Sequence, residues 1–156
     1  MVENSTSSSH ASNRGETASP GQGTRDQGLR SCPLVLIVED ERLTALDLKR
    51  RVQSYGYDVI GQVGVTAGEG VELALIHQPD LVLMDVRLKG GPDGIDAAEV
   101  ILEELGYLPI VYLTAFSNDE TIDRISVLNP AGFLCKPIDF QRLECEIAHA
   151  LDWPKH

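Results

Sequence analysis

Leu81-Val82-Leu83-Met84-Asp85 is a short apolar run that stops at a carboxylate. Three other runs end in comparable chemistry. Val35-Leu36-Ile37-Val38 leads into Glu39-Asp40-Glu41, Ile110-Val111-Tyr112-Leu113 into Thr114, and Phe133-Leu134-Cys135 into Lys136-Pro137. Runs this short, bounded by polar residues, read as buried strands. Strands that each end in a charge or a hydroxyl predict one parallel sheet with a site along its carboxyl edge, where open α/β sheets take their ligands.

Apolar runs at 34–38, 58–63, 80–84, 109–113 and 131–135 alternate with segments of helical period. That alternation predicts parallel strands joined by crossover helices. Ala45, Leu48, Val52 and Tyr55 share a helix face that Gly56 closes. Ile95, Ala98, Leu102 and Leu105 form a second stripe and Phe140, Leu143, Ile147 and Leu151 a third, with weaker helices over 67–77 and 118–128. The expected architecture is a flavodoxin-like doubly wound (βα)5 sandwich with a five-stranded parallel sheet of order 2-1-3-4-5. The central strands are apolar on both faces, as helices on both sides require. Only the second, with Asp58, Gly61 and Gln62, looks like an edge.

At 156 residues, 42% of them hydrophobic, the chain supports one core. Residues 1–31 are rich in Ser, Gly, Thr and Asn and are expected to form a disordered tail, leaving 32–156 as the folded domain. Beyond Lys136 one helix and a short end remain, too little for a second domain. Arg14, Arg25 and Arg30 balance Glu3, Glu16 and Asp26 in the tail, so the net charge of −11 falls on the globule and argues against direct nucleic-acid binding. No apolar core follows Met1 and no stretch is long enough to cross a membrane, which argues against a signal peptide or a membrane partner and for a cytoplasmic protein. Cys32, Cys135 and Cys145 lack zinc-site spacing and read as reduced packing residues, Cys135 in the core.

In the order 2-1-3-4-5 the first and third strands are neighbours, so Glu39, Asp40 and Asp85 converge. Two unit charges about 4 Å apart repel by roughly 4 kcal/mol at an effective dielectric of about 20. Such a cluster needs a cation or must take up protons. Mg2+ fits best, because it accepts a few carboxylate oxygens and keeps other positions for water and phosphate. Thr114 and Lys136 add a hydroxyl and an ammonium suited to a phosphoryl group. Asp85 is then the expected nucleophile, forming an acyl phosphate.

Val38-Glu39-Asp40-Glu41, Leu83-Met84-Asp85, Leu113-Thr114-Ala115 and Cys135-Lys136-Pro137, in this order and spacing, resemble the receiver domain of two-component response regulators from about Leu34 to Leu151. The resemblance implies that Glu39 and Asp40 hold Mg2+ together with Asp85 and the backbone carbonyl of Arg87. It further implies that Asp85 is phosphorylated, that Thr114 and Lys136 contact the phosphoryl group, and that the Lys136-Pro137 peptide is cis. Phe133 stands where the family has its switch aromatic, expected to turn into the space that Thr114 vacates. The loop Arg87-Leu88-Lys89-Gly90-Gly91-Pro92-Asp93-Gly94 is about one residue longer than the common form and lacks its Met-Pro, resembling a subgroup of mostly single-domain receivers. The Arg87 side chain and Phe116 are expected to set the phosphoryl lifetime.

The expected function is therefore a stand-alone receiver that accepts a phosphoryl group from a histidine kinase or histidine phosphotransfer protein and signals by contact with a downstream protein. It would catalyse only its own phosphorylation and dephosphorylation, and the resemblance makes the face beside the fifth strand a place for a second copy of the chain or, equally, for a kinase or an effector. The alternative is a receiver-like module that binds proteins without phosphorylation. A haloacid dehalogenase-type phosphohydrolase would need an acid where Arg87 stands, and a flavodoxin-like cofactor binder a phosphate cradle where three acids stand. Taken alone, Glu39-Asp40-Glu41 serves equally well as a helix start, Thr114 as a cap and Lys136 as a solvated charge.

Overall fold

The computed structural model describes residues 31–60, 65–115 and 118–152. Strands β1 (Leu34–Val38), β2 (Asp58–Val59), β3 (Leu81–Asp85), β4 (Ile110–Thr114) and β5 (Gly132–Cys135) form one parallel sheet in the order β2-β1-β3-β4-β5. Helices α1 (Arg42–Ser54), α2 (Ala67–His77), α3 (Gly94–Leu105), α4 (Asp119–Val127) and α5 (Phe140–Leu151) alternate with the strands. Leu48 and Val52 of α1 and Leu143 and Ile147 of α5 bury one sheet face. Leu73 of α2, Ile95 and Ile101 of α3 and Ile125 of α4 bury the other. The doubly wound sandwich is thus observed as expected.

Local chemistry explains where the helices begin. Thr66 with Glu69 and Asp93 with Asp96 form reciprocal capping boxes that open α2 and α3. Asn118 and Asp139 cap α4 and α5 with their side chains. Helix α1 is different: its N-cap Glu41 makes no side-chain capping bond. No acid stands in its first turn either, so these acids do not cap α1 through side-chain bonds. At the far end of α1, Gly56 follows the C-cap Tyr55 with φ of 95°, a conformation that glycine adopts without a Cβ clash.

Some expectations need correction, and others fall outside the described residues. Strand β2 is shorter than 58–63: Ile60 follows it, its amide still donating to the Val35 carbonyl, and residues 61–64 are not among those described. β5 is an edge as well as β2, and its face beneath α4 is poorly covered. Strand alternation buries Leu134 but turns Phe133 and Cys135 outward, so Cys135 is exposed rather than core. Cys145 is exposed too, on the outer side of α5, and Cys32 is half-buried. Residues 1–30 of the expected disordered tail, and Phe116, lie outside the described residues.

Tyr112 at the centre of β4 is fully buried, and its hydroxyl has no hydrogen-bond partner among the described residues. Burial, and secondarily the charge of Glu99, pushes its ionisation far up, so the phenol stays neutral. An orphaned buried hydroxyl carries its desolvation cost with no return. Tyr112→Phe is expected to stabilise the fold by about 1 kcal/mol, seen as a higher urea midpoint at unchanged slope; a loss of stability would mean that the hydroxyl is satisfied.

Candidate functional site

Register places the site. Val38 pairs with Met84, so Glu39 and Asp85 leave adjacent strands at one height. Asp85 pairs with Leu113 and Thr114 with Cys135, so Thr114 and Lys136 step along the same edge. The backbone amide of Lys136 donates to the Thr114 carbonyl at 2.7 Å. Lys136 then extends its ammonium back across the sheet: Nζ lies 2.7 Å from Glu39 Oε2 and 3.2 Å from Asp85 Oδ2. Four of the expected residues, Glu39, Asp40, Asp85 and Lys136, therefore come together. The Lys136-Pro137 peptide is cis, as the resemblance implies.

Backbone amides orient the carboxylates from the other side. The amide of Glu41 donates to Glu39 Oε1 at 3.2 Å, that of Arg87 to Asp85 Oδ1 at 3.1 Å, and that of Lys89 to Asp40 Oδ2 at 2.6 Å. The β3–α3 loop thus holds two of the three acids. Glu39 is 1% exposed, and Asp85 and Thr114 are buried. Burial raises the Glu39 carboxyl above its ordinary range and the Asp85 charge adds to this, against the bond from Lys136. Lys136 is also raised: burial works against its charge, but Glu39 and Asp85 outweigh it. Burial leads the rise of Glu39, whereas the neighbouring carboxylates of Glu39 and Asp85 raise Lys136 in spite of burial.

Among the described residues, Glu39, Asp40 and Asp85 form the one group of metal-capable side chains, with an oxygen from each within 4.8 Å of the others. Three hard oxygens in a cluster with excess negative charge fit Mg2+. Thr114 and Phe133 belong to an adjoining feature, a cavity of about 70 Å³ between β4, β5 and the α4 residues Thr121, Ile122 and Ile125. Phe133 is 44% exposed there.

The model of the response regulator receiver domain matches residues 35–148. The chain belongs to the response regulator receiver family. It is 42% identical over 109 residues to the transcriptional regulatory protein PdtaR of Mycobacterium tuberculosis strain H37Rv, a match covering 70% of this chain and 52% of that protein. The chain therefore spans about half of that relative. The polar-differentiation response regulator DivK of Brucella ovis is 32% identical over 111 residues, covering 69% of this chain and 87% of DivK. Among solved structures, the signal receiver domain of a modulated diguanylate cyclase from Desulfovibrio desulfuricans G20 superposes with a TM-score of 0.69 at 37% identity, over 78% of this chain and 94% of that one. Receiver domains are signalling proteins rather than metabolic enzymes, and the acid cluster of this receiver lies where the family holds Mg2+. Among the described residues no helix is long and apolar enough to cross a membrane.

Two parts of the site escaped sequence reasoning. Gly94, the first residue of α3, has no room for a side chain against the Asp85 carbonyl. Arg124 of α4 reaches the capping box of α3, with Nη1 2.8 Å from Asp93 Oδ2 and Nη2 3.1 Å from Asp96 Oδ1. Burial raises the Asp93 carboxyl, but Arg124 and the Asp96 amide together hold it below its ordinary range. The Asp-x-x-Asp spacing is the signal from which the box could be read; nothing local points to its partner.

Proposed function

We propose that this receiver accepts a phosphoryl group on Asp85 from a histidine kinase or histidine phosphotransfer protein, and passes the signal on through a phosphorylation-dependent protein contact. The observation that carries this reading is the Lys136 ammonium bonded to both Glu39 and Asp85 beside Asp40. In the transfer, an Asp85 carboxylate oxygen forms a bond to phosphorus while the bond from phosphorus to the donor imidazole nitrogen breaks, and the imidazole takes a proton from solvent. Glu39, Asp40, Asp85 and the Arg87 carbonyl would hold Mg2+, which supplies charge neutralisation on the phosphoryl oxygens. Lys136 supplies a further positive charge and Thr114 a hydroxyl donor.

The output follows from the neighbouring cavity. When Thr114 is drawn toward a phosphoryl group, the space beside it opens, and the half-exposed Phe133 ring has an apolar place to go between β5 and α4. A surface that depends on phosphorylation results, for a downstream protein or a second copy of the chain. The experiment is mass spectrometry of the intact protein and its peptides after acetyl phosphate treatment, with and without Mg2+. A Mg2+-dependent gain of one phosphoryl group at Asp85, absent in Asp85→Asn, is expected. No modification under conditions that label an established receiver would favour a phosphorylation-independent protein-binding module.

A further inference from the structure

Helices α3 and α4 lie next to each other with an imbalance of charge. Helix α3 carries Asp96, Glu99, Glu103 and Glu104 and no basic residue; α4 carries Asp119, Glu120 and Asp123, with Arg124 its one cation. Apolar anchoring of α4 is thin, since Ile125 is its only buried residue. Much of what fixes α4 against its acidic neighbour therefore falls to Arg124.

Its guanidinium is built into a ring of bonds. Nη1 donates to Asp93 Oδ2 at 2.8 Å, and Nη2 to Asp96 Oδ1 at 3.1 Å and Asp93 Oδ1 at 3.5 Å. The two aspartates are joined in turn by Asp96 N to Asp93 Oδ1 at 2.9 Å and Asp93 N to Asp96 Oδ2 at 3.1 Å. Asp93 ends the loop whose earlier amides, on Arg87 and Lys89, hold Asp85 and Asp40. The Gly94 amide closes the base of that loop on the Val86 carbonyl at 2.9 Å. One short loop is thus tied at its start to the acid cluster and at its end to α4.

Building on the receiver function proposed above, we infer that Arg124 is a positioning residue that clamps α4 to the β3–α3 loop in the resting state and must yield when the acid cluster takes up a phosphoryl group. Helix α4 has a covalent link to the site through Thr114, and Arg124 is the second link, made of charge. A bond that is stronger in the resting arrangement than in the switched one opposes the switch by that difference. Removing it makes occupation of Asp85 easier without touching any group that meets the phosphoryl oxygens. Because Arg124 is partly exposed, the clamp weakens with salt.

The test is calorimetric titration with beryllofluoride, an acyl-phosphate mimic, in the presence of Mg2+. Arg124→Gln is expected to bind about fivefold more tightly than wild type at low salt, a gap that narrows as ionic strength rises. Asp93→Asn, which keeps a good helix cap, should act in the same direction. The double variant should gain no more than either single one, and affinity for Mg2+ alone should be the same in all. Equal beryllofluoride affinity in wild type and Arg124→Gln, even with a lower melting temperature, would reduce Arg124 to a structural role, as would additive single effects. If the wild-type chain binds no beryllofluoride and takes no label from acetyl phosphate, the receiver function itself falls, and the clamp with it.

Discussion

Gly94→Ala is expected to destabilise the protein by about 3 kcal/mol, at the upper end of the usual cost of overpacking. In most helices the same change helps, because alanine is the better helix former by about 1 kcal/mol. Here the helix begins against the end of β3. An added Cβ would run into the carbonyl oxygen of Asp85, and would lie 2.8 Å from its carbonyl carbon and 3.1 Å from Met84 Cγ. The methionine can move aside; the peptide of a central strand paired on both sides cannot do so cheaply. Relief must come from lifting the start of α3, which pulls on the loop that orients Asp85 and Asp40. The variant should therefore lose acetyl phosphate labelling as well as stability, measured by urea unfolding and mass spectrometry. Wild-type stability with full labelling would show that the helix start has slack the packing does not suggest.

Most of this site is legible in the sequence because parallel strands translate order into position. Once Val35–Val38 and Leu81–Met84 are taken as neighbouring strands, Glu39 and Asp85 must meet, and Lys136 needs only to follow β5 to reach them. The helix stripes are legible for the same reason: a period of 3.6 has one solution against a sheet. What the sequence hides is contact made by few residues over long separations. Arg124 reads as one more surface charge, and Gly94 as one more turn glycine, until α4 and β3 are placed beside them.

The misreading of β5 has a different cause. Phe133-Leu134-Cys135 is as apolar as a central strand, and composition alone cannot say which of its faces a helix will cover. Position in the sheet decides it. At the edge, under a helix that buries only Ile125, alternation leaves the phenyl ring and the thiol outward. An aromatic that is costly to expose in the resting state is suited to turn inward when room appears, so the departure from a well-packed edge falls at the proposed switch.

Lys136→Met should be the most informative change at the acid cluster, costing about 3 kcal/mol at neutral pH without Mg2+. It removes the ammonium bonded to Glu39 and Asp85 while keeping much of the side-chain bulk. Breaking a buried pair leaves the partner's charge uncompensated, which is far worse than never having built the pair. Glu39 already sits above its ordinary range through burial and the Asp85 charge, and the bond from Lys136 is the largest influence holding it down. Without that bond its folded-state value rises further. A carboxyl whose folded value is raised favours the folded state below that value and loses the advantage as pH rises through it. The variant should thus recover stability on mild acidification, and at neutral pH Mg2+ should restore part of the loss by supplying the missing positive charge. Labelling by acetyl phosphate should fall even where stability is restored, because the ammonium beside Asp85 that neutralises the transferring group is gone. Unfolding curves across pH, with and without Mg2+, separate the two effects; a Lys136→Met protein as stable as wild type at neutral pH without Mg2+ would mean that the Glu39 carboxyl is already neutral in the resting state.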